Sequence, residues 1–443
     1  MPVSLVEGIE VDFWMDLKGT QTVRILQDPI SKNIVYTTFD GFVYEIIEKK
    51  SGKRKEKRLF SVKDHGISRL QGAIFLDSTL FLSGNIQVND GKGTKGIMMR
   101  GDLKKNGKRV WSRVFITEDV GSTKTLYDHG FNGLAISPDK KHIFINSGAR
   151  TDHGELQEND GFYPGARDVP LTACVLRIPS STINLFLPNN YNFLKEHGYL
   201  YADGIRNAYD LEFSNDGELF AVSNSSDYDH PEDMFWLREG HHYGFPWVMG
   251  NTPNPQQFPD WQADPTKDPF INTFAHAYRM KYFVNDPDFP KPPEGVVFSS
   301  PVRNLGPDIN LYRDLESGIV MDGDTTGFNV GTFTPHLSPL GLFFDRDSVF
   351  TEGFKGDGFM LNYSSPGGSL NRDFYYDGGD LIHLTLKYNS SLDNYDVICE
   401  KLVNKFRGPT DAVLIKNSIF IIVYGGKKTP SKIWKVTMPS DIY

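Results

Sequence analysis

Asp128-His129-Gly130-Phe131-Asn132-Gly133-Leu134 precedes a Ser137-Pro138-Asp139 turn. Histidine titrates near neutrality, so one placed where a strand starts can act as a general base. A neighbouring carboxylate would raise its proton affinity and orient the ring. The plainer alternative is a loop histidine that happens to follow an aspartate. A second segment, Gly204-Ile205-Arg206-Asn207-Ala208-Tyr209-Asp210-Leu211, leads into another strand. The planar fork of Arg206 suits a carboxylate or a quinone oxygen, and it equally suits loop carbonyls. A third stretch begins at Ser223-Asn224-Ser225-Ser226-Asp227, passes Pro231-Glu232-Asp233 and reaches Glu239-Gly240-His241-His242-Tyr243-Gly244-Phe245-Pro246. Calcium takes carboxylate and carbonyl oxygens on irregular loops, and this stretch is rich in both, although Asp and Asn are also ordinary turn formers. His241 and His242 are adjacent, so on extended chain they point to opposite sides and do not share a metal.

The elements that must position these residues are strands. Residues 33–46, 73–84, 134–148, 211–224, 340–363 and 412–424 each read as an apolar strand, a polar turn and a second strand. Alternation at period two, with turns such as Asp40-Gly41, Asp216-Gly217 and Asp377-Gly378, makes them hairpins. Helical periodicity is scarce, and residues 190–197 carry one short helix. Six unevenly spaced hairpins fit an all-β, six-bladed β-propeller with long inter-strand insertions better than a two-sheet sandwich. No boundary cuts the chain into independent folds, so residues 1–443 read as one propeller domain. A Pro- and aromatic-rich insertion at about 251–293 is expected to be ordered, because Trp261, Phe274, Tyr278 and Phe283 favour burial.

Composition excludes several classes. A net charge of −9 argues against a basic face for nucleic acid. The one dense basic run, residues 49–57, reads as a solvated hairpin loop. Two cysteines, Cys174 and Cys399, exclude a disulfide framework and leave either one bridge or two buried thiols. The N-terminus lacks the charged-then-apolar pattern of a secretory signal, and no apolar stretch approaches the length of a transmembrane helix.

Taken in order, the three segments resemble the glucose/sorbosone dehydrogenase family of PQQ-dependent sugar dehydrogenases. That family carries a histidine before a strand, then G-x-R-N, then an acidic loop ending in YGWP or a close variant. Here these are Asp128-His129, Arg206-Asn207 and His242-Tyr243-Gly244-Phe245-Pro246. Thr332-Phe333-Thr334-Pro335-His336, Asn371-Arg372 and Arg407-Gly408-Pro409-Thr410-Asp411-Ala412 are similar to later family segments.

The resemblance implies a six-bladed propeller with PQQ over the channel mouth and a sugar substrate. His129 would take the hydroxyl proton as hydride passes to the quinone, and Asp128 would support it. Arg206 and Asn207 would contact the quinone, and Arg407 would pair with a PQQ carboxylate. His336, Arg372 and Lys405 would also surround the cofactor, and calcium would sit at Ser225, Ser226 and Asp227. It further implies a soluble electron acceptor and a periplasmic or secreted location. The chain departs from the family at Ser225-Ser226, where the loop usually reads Gly-Pro, and near Asn362-Tyr363-Ser364, which lacks a lysine. Two other classes remain: a calcium-dependent, lactonase-like hydrolase using Asn207, Asn224 and Asp227, and a non-catalytic binding propeller that has lost PQQ.

Overall fold

Short strands rich in β-branched and aromatic residues bury too little surface singly and pair into small twisted sheets. In the computed structural model six such sheets form the blades of a propeller. The structure describes residues 1–443 except 328–330, 364–369, 377, 427 and 440–443. Blade 1 comprises Thr22–Gln27, Ile34–Thr38, Val43–Glu48 and Arg54–Phe60; blade 2 comprises Arg69–Leu76, Thr79–Val88, Gly93–Leu103 and Arg109–Thr117. Blade 3 comprises Phe131–Ile136, His142–Ser147, Cys174–Pro179 and Leu200–Asp203, and blade 4 has three strands, Asp210–Phe213, Leu219–Ser223 and Asp233–Leu237. Blade 5 comprises Pro339–Phe344, Gly358–Asn362, Leu381–Asn389 and Asn394–Asn404. Blade 6 comprises Pro409–Ile415, Ser418–Val423 and Lys432–Thr437, and the N-terminal strand Glu10–Asp16 completes it by antiparallel pairing to Lys432–Thr437.

The first strand of each blade packs against the first strands of its two neighbours, so six inner strands close a ring. Each hairpin expected from the sequence lies within one blade. Gly41 (φ 86°) and Gly217 (φ 84°) occupy the left-handed region that their Asp-Gly turns require. Asp377, of the third such turn, lies outside the described residues. The core lies between blades: Phe81, Phe115, Phe131, Ile145 and Leu176 fill the space between blades 2 and 3, and Phe220, Met234, Leu342 and Met360 that between blades 4 and 5. The expected helix spans Tyr191–Glu196, and the Asn190 side chain accepts from the Phe193 N–H at 2.9 Å to cap it.

Two expectations are corrected. Residues 49–57 are only partly loop, because Arg54–Phe60 is the outer strand of blade 1. There Glu56 turns inward to accept from the Lys18 N–H at 3.0 Å, while exposed Lys55 and Lys57 protect the edge. In the insertion, Phe283 is buried and Trp261 and Tyr278 pack beside it, together with Tyr127, Tyr228 and Phe270. Phe274 stays 47% exposed because it lies at a rim, its ring facing the Arg372 guanidinium at 6.0 Å. Cys174 and Cys399 are both free and buried. No helix among the described residues is long and apolar enough to cross a membrane.

Candidate active site at the channel mouth

Each inner strand runs inward from the same face of the ring, so the residues just ahead of it collect at one end of the channel. His129 precedes Phe131–Ile136, Arg206 and Asn207 precede Asp210–Phe213, His336 precedes Pro339–Phe344, and Arg407 precedes Pro409–Ile415. The loops between second and third strands, which carry residues 149–173 and 224–232, open on that face too. Below the mouth the channel is filled by Arg24. Its Nη1 lies 3.1 Å from Asp210 and 3.9 Å from Asp411, Nη2 donates to the Tyr209 carbonyl at 2.6 Å, and Nε donates to the Gln71 carbonyl at 3.0 Å. Burial raises the proton affinity of both carboxylates, and Arg24 opposes that rise.

Above Arg24 is a polar cavity of about 250 Å³ walled by His129, Asp128, Arg69, Gln71, Asn207 and Tyr209, among others. The His129 ring is fixed by the Ala149 carbonyl, 3.0 Å from Nδ1, and its backbone carbonyl accepts from Gln71 Nε2 at 3.2 Å. With the Nδ1 proton committed to Ala149, the lone pair of the neutral ring resides on Nε2. Burial and, next, the Arg206 charge push the imidazole down to about 3. Asp128 is not its partner. The Asp128 carboxylate accepts instead from Ser122 Oγ at 3.0 Å and Thr94 Oγ1 at 3.3 Å, because neighbours on extended chain face opposite ways.

Arg206 is held by the protein on one side. Nε donates to the Asp152 carbonyl at 2.6 Å, Nη2 to Asp152 Oδ1 at 2.9 Å, and Nη1 to the Asn224 carbonyl at 3.1 Å. A guanidinium has five N–H groups, so two remain for a ligand. Asn207 belongs to a chain of carboxamides spanning three blades. Asn146 donates to Asn132 at 2.8 Å, Asn132 to Asn207 at 3.0 Å, Asn207 to Asn224 at 3.1 Å, and Asn224 to the Pro339 carbonyl at 2.8 Å.

The loop expected to hold calcium is knit together internally. Ser225 N–H donates to Glu232 at 2.9 Å, and Ser226 Oγ lies 3.0 Å from His230 Nδ1. The Asp227 carboxylate accepts from the Tyr127 hydroxyl and from the Ala277 N–H of the insertion. Asp227 therefore anchors the insertion through Oδ2, which takes both bonds, while Oδ1 is not used by either. No group of three or more His, Cys, Asp or Glu among the described residues is arranged for a metal. Oxygen donors for calcium would be the Ser225 and Ser226 carbonyls and Asp227 Oδ1.

His336 lies apart from the His129 cavity. Its Nε2 is 2.7 Å from Asp229, which also accepts from Arg313 at 2.7 Å. Burial alone would lower the His336 ring, but Asp229 outweighs it and the net shift is upward. Lys405 and Arg407 are exposed and have no ion-pair partner among the described residues, and Arg372 is exposed against Phe274. These cations fit the carboxylates of an anionic cofactor such as PQQ, whereas His336 is already committed to Asp229. Ser364 lies outside the described residues.

Several site residues went unrecognised in the sequence: Arg24, Arg69, Gln71 and Asn85. Arg69 and Gln71 stand at the start of an inner strand and within it, close to where His129 and Arg206 stand in theirs, so the hairpin spacing held the signal that would have found them. Asp152 follows closely on Ala149, where some members of the family carry a carboxylate, and here it binds Arg206.

No protein-family profile and no curated protein matches the chain. Solved structures similar in fold include a glucose dehydrogenase (TM-score 0.58, 12% identity, covering 96% of this chain and 98% of that one). The apo form of the soluble aldose sugar dehydrogenase of Escherichia coli gives 0.56 at 14% identity over 97% and 99% of the two chains. The holo form of the pyranose dehydrogenase PQQ domain of Coprinopsis cinerea gives 0.56 at 11% identity over 99% and 97%. Over nearly its whole length, then, this propeller has the fold of these sugar dehydrogenases.

Proposed function

We propose that the chain is a sugar oxidoreductase that uses PQQ, with His129 as the base at the channel mouth. The observation that carries this reading is the His129 imidazole, neutral and fixed through Nδ1, standing in a polar cavity over a plugged channel. When bound, PQQ supplies the two-electron acceptor for the hydride that leaves the sugar. The chain's own residues do the rest. His129 Nε2 takes the hydroxyl proton as the hydride departs, and the nearby Arg206 charge favours passing that proton on. Asp152 holds the Arg206 fork in place, and its two remaining N–H groups would stabilise charge developing on an oxygen. Exposed Lys405, Arg407 and Arg372 would balance the cofactor carboxylates. Calcium would be held by the Ser225 and Ser226 carbonyls and Asp227 Oδ1, and a soluble acceptor would take the electrons onward.

A second reading, a binding propeller without PQQ, is favoured by the internal bonds of Arg206 and Asn207. The hydrolase reading is disfavoured, because the channel that a central metal would occupy contains the Arg24 guanidinium. The test is titration of the purified protein with PQQ, with calcium or with a chelator, and then sugar-dependent bleaching of a redox dye. Saturable, calcium-dependent binding with dye reduction is expected. Absence of binding at micromolar PQQ would overturn the reading in favour of the binding propeller.

A further inference from the structure

The cavity beside His129 is lined by one guanidinium and one carboxylate, and a second guanidinium near that carboxylate shares its charge. Arg69, at the start of the blade 2 inner strand, lines it together with Asp128, Thr94 and Leu126. Arg69 has no side-chain hydrogen bond and no ion pair among the described residues. Behind Asp128 lies Arg150, one of the largest fully buried side chains, whose Nε and Nη2 have no hydrogen-bond partner. Arg150 has no ion pair among the described residues either, and its guanidinium stands 5.5 Å from the Tyr163 ring. Both arginines act electrostatically on Asp128, whose Oδ2 is already shared by Ser122 and Thr94. Arg206 does not alter this count, since it has Asp152 as its own partner. Two guanidiniums thus share one carboxylate, and the fork of half-buried Arg69, unpaired at the cavity wall, is left to meet an anion.

We propose that the cavity takes an anionic sugar, an aldose bearing a carboxylate of the uronate class, and that Arg69 is the residue that selects it. The guanidinium fork meets a carboxylate with two parallel charge-assisted hydrogen bonds, a geometry that a neutral hexose cannot reproduce. The cavity, about 250 Å³, has room for a ligand of the size of one sugar ring. Leu126, 79% exposed, stands at its opening. The charge and shape of the cavity carry the binding of such a sugar, and its oxidation once bound rests on the sugar-oxidoreductase reading.

The experiment is calorimetric titration of sodium glucuronate and, separately, glucose into the wild-type protein, Arg69→Ala and Arg69→Lys, each with and without PQQ. Dye reduction is assayed in parallel, and thermal melting confirms that each variant is folded. Wild type is expected to bind glucuronate at least about 10-fold more tightly than glucose, the ratio that a charged hydrogen-bond pair supports. Arg69→Ala should erase that preference, glucuronate affinity falling at least about 10-fold further than glucose affinity, and Arg69→Lys should restore part of it. Equal affinities in wild type, binding of neither sugar, or a preference that survives in Arg69→Ala would overturn the inference. Loss of PQQ affinity in Arg69→Ala with glucuronate affinity intact would overturn it as well, assigning the guanidinium to the cofactor. An Arg69-dependent preference without any dye reduction would uphold the inference while the oxidoreductase reading failed.

Discussion

His129 owes its character to its surroundings. Burial, and then the charge of Arg206, hold the ring neutral down to about pH 3, and the Ala149 carbonyl sets the tautomer. His129→Ala is expected to lower kcat by about 10²- to 10⁴-fold, the usual share of a positioned base. PQQ affinity should stay unchanged, because the ring's hydrogen-bond partner, the Ala149 carbonyl, belongs to the protein. Stopped-flow dye reduction and PQQ titration of the same variant check both halves, and near-normal turnover would remove the base role. The depressed proton affinity has a second consequence. Since His129 is deprotonated throughout pH 5 to 8, kcat/KM should show no acid limb from this residue near its ordinary value of 6.5. A limb there would mean that the ring is solvated. Asp128 illustrates why adjacency misleads: the strand geometry that sends His129 to Ala149 sends Asp128 to Ser122 and Thr94.

At the scale of elements, the ring is closed by a pairing between the two ends of the chain. Glu10–Asp16 is the fourth strand of blade 6, hydrogen-bonded along Lys432–Thr437. Removing residues 1–17 strips that strand and leaves a bare edge whose free N–H and C=O groups invite another chain. The truncated protein should melt at least about 5 °C lower than the full chain and should associate, as read by calorimetry and light scattering. An unchanged melting temperature would show that the strand merely rests on the blade. The carboxamide relay from Asn146 to the Pro339 carbonyl works in the same direction, tying blades 3, 4 and 5 at the face where the candidate site lies.

For the whole molecule, the axis is the decisive region. Arg24 reaches from blade 1 to carboxylates of blades 4 and 6 and to carbonyls of Gln71 and Tyr209, so a single side chain joins four blades. Arg24→Ala would leave Asp210 and Asp411 buried without their cation, a loss on the order of 3–5 kcal/mol. Linkage sets the sign of its pH dependence. Without Arg24 the folded-state affinities of both carboxylates rise further above their unfolded values, so the folded variant keeps protons that the unfolded chain releases. Stability of the variant therefore falls as pH rises, and its deficit relative to wild type should be larger at pH 8 than at pH 5. Urea unfolding at the two pH values reads this directly, and a deficit independent of pH would show that the carboxylates are not the cause.

The hairpins, the Asp-Gly turns at Gly41 and Gly217, the short helix near residues 190–197 and the placement of His129 and Arg206 at strand entries were legible in the sequence, while Arg407 came from the family resemblance. They depend on local rules: alternation at period two, turn chemistry and capping act over a few residues, and six repeats of one unit imply a ring. The pairing of His129 with Ala149, the Arg206–Asp152 bond, the capture of Asp227 by Tyr127 and Ala277, and the Arg24 plug were not legible. The first is set at the end of the blade 3 hairpin, and the others join residues far apart along the chain, from different blades or the long insertion, brought together only by tertiary packing. Residue type and local spacing thus determined the fold and the face on which chemistry would gather. Which donors are spent inside the protein, and which remain for a ligand, was decided by tertiary packing, because a buried polar group takes the nearest partner in space whatever its distance along the chain.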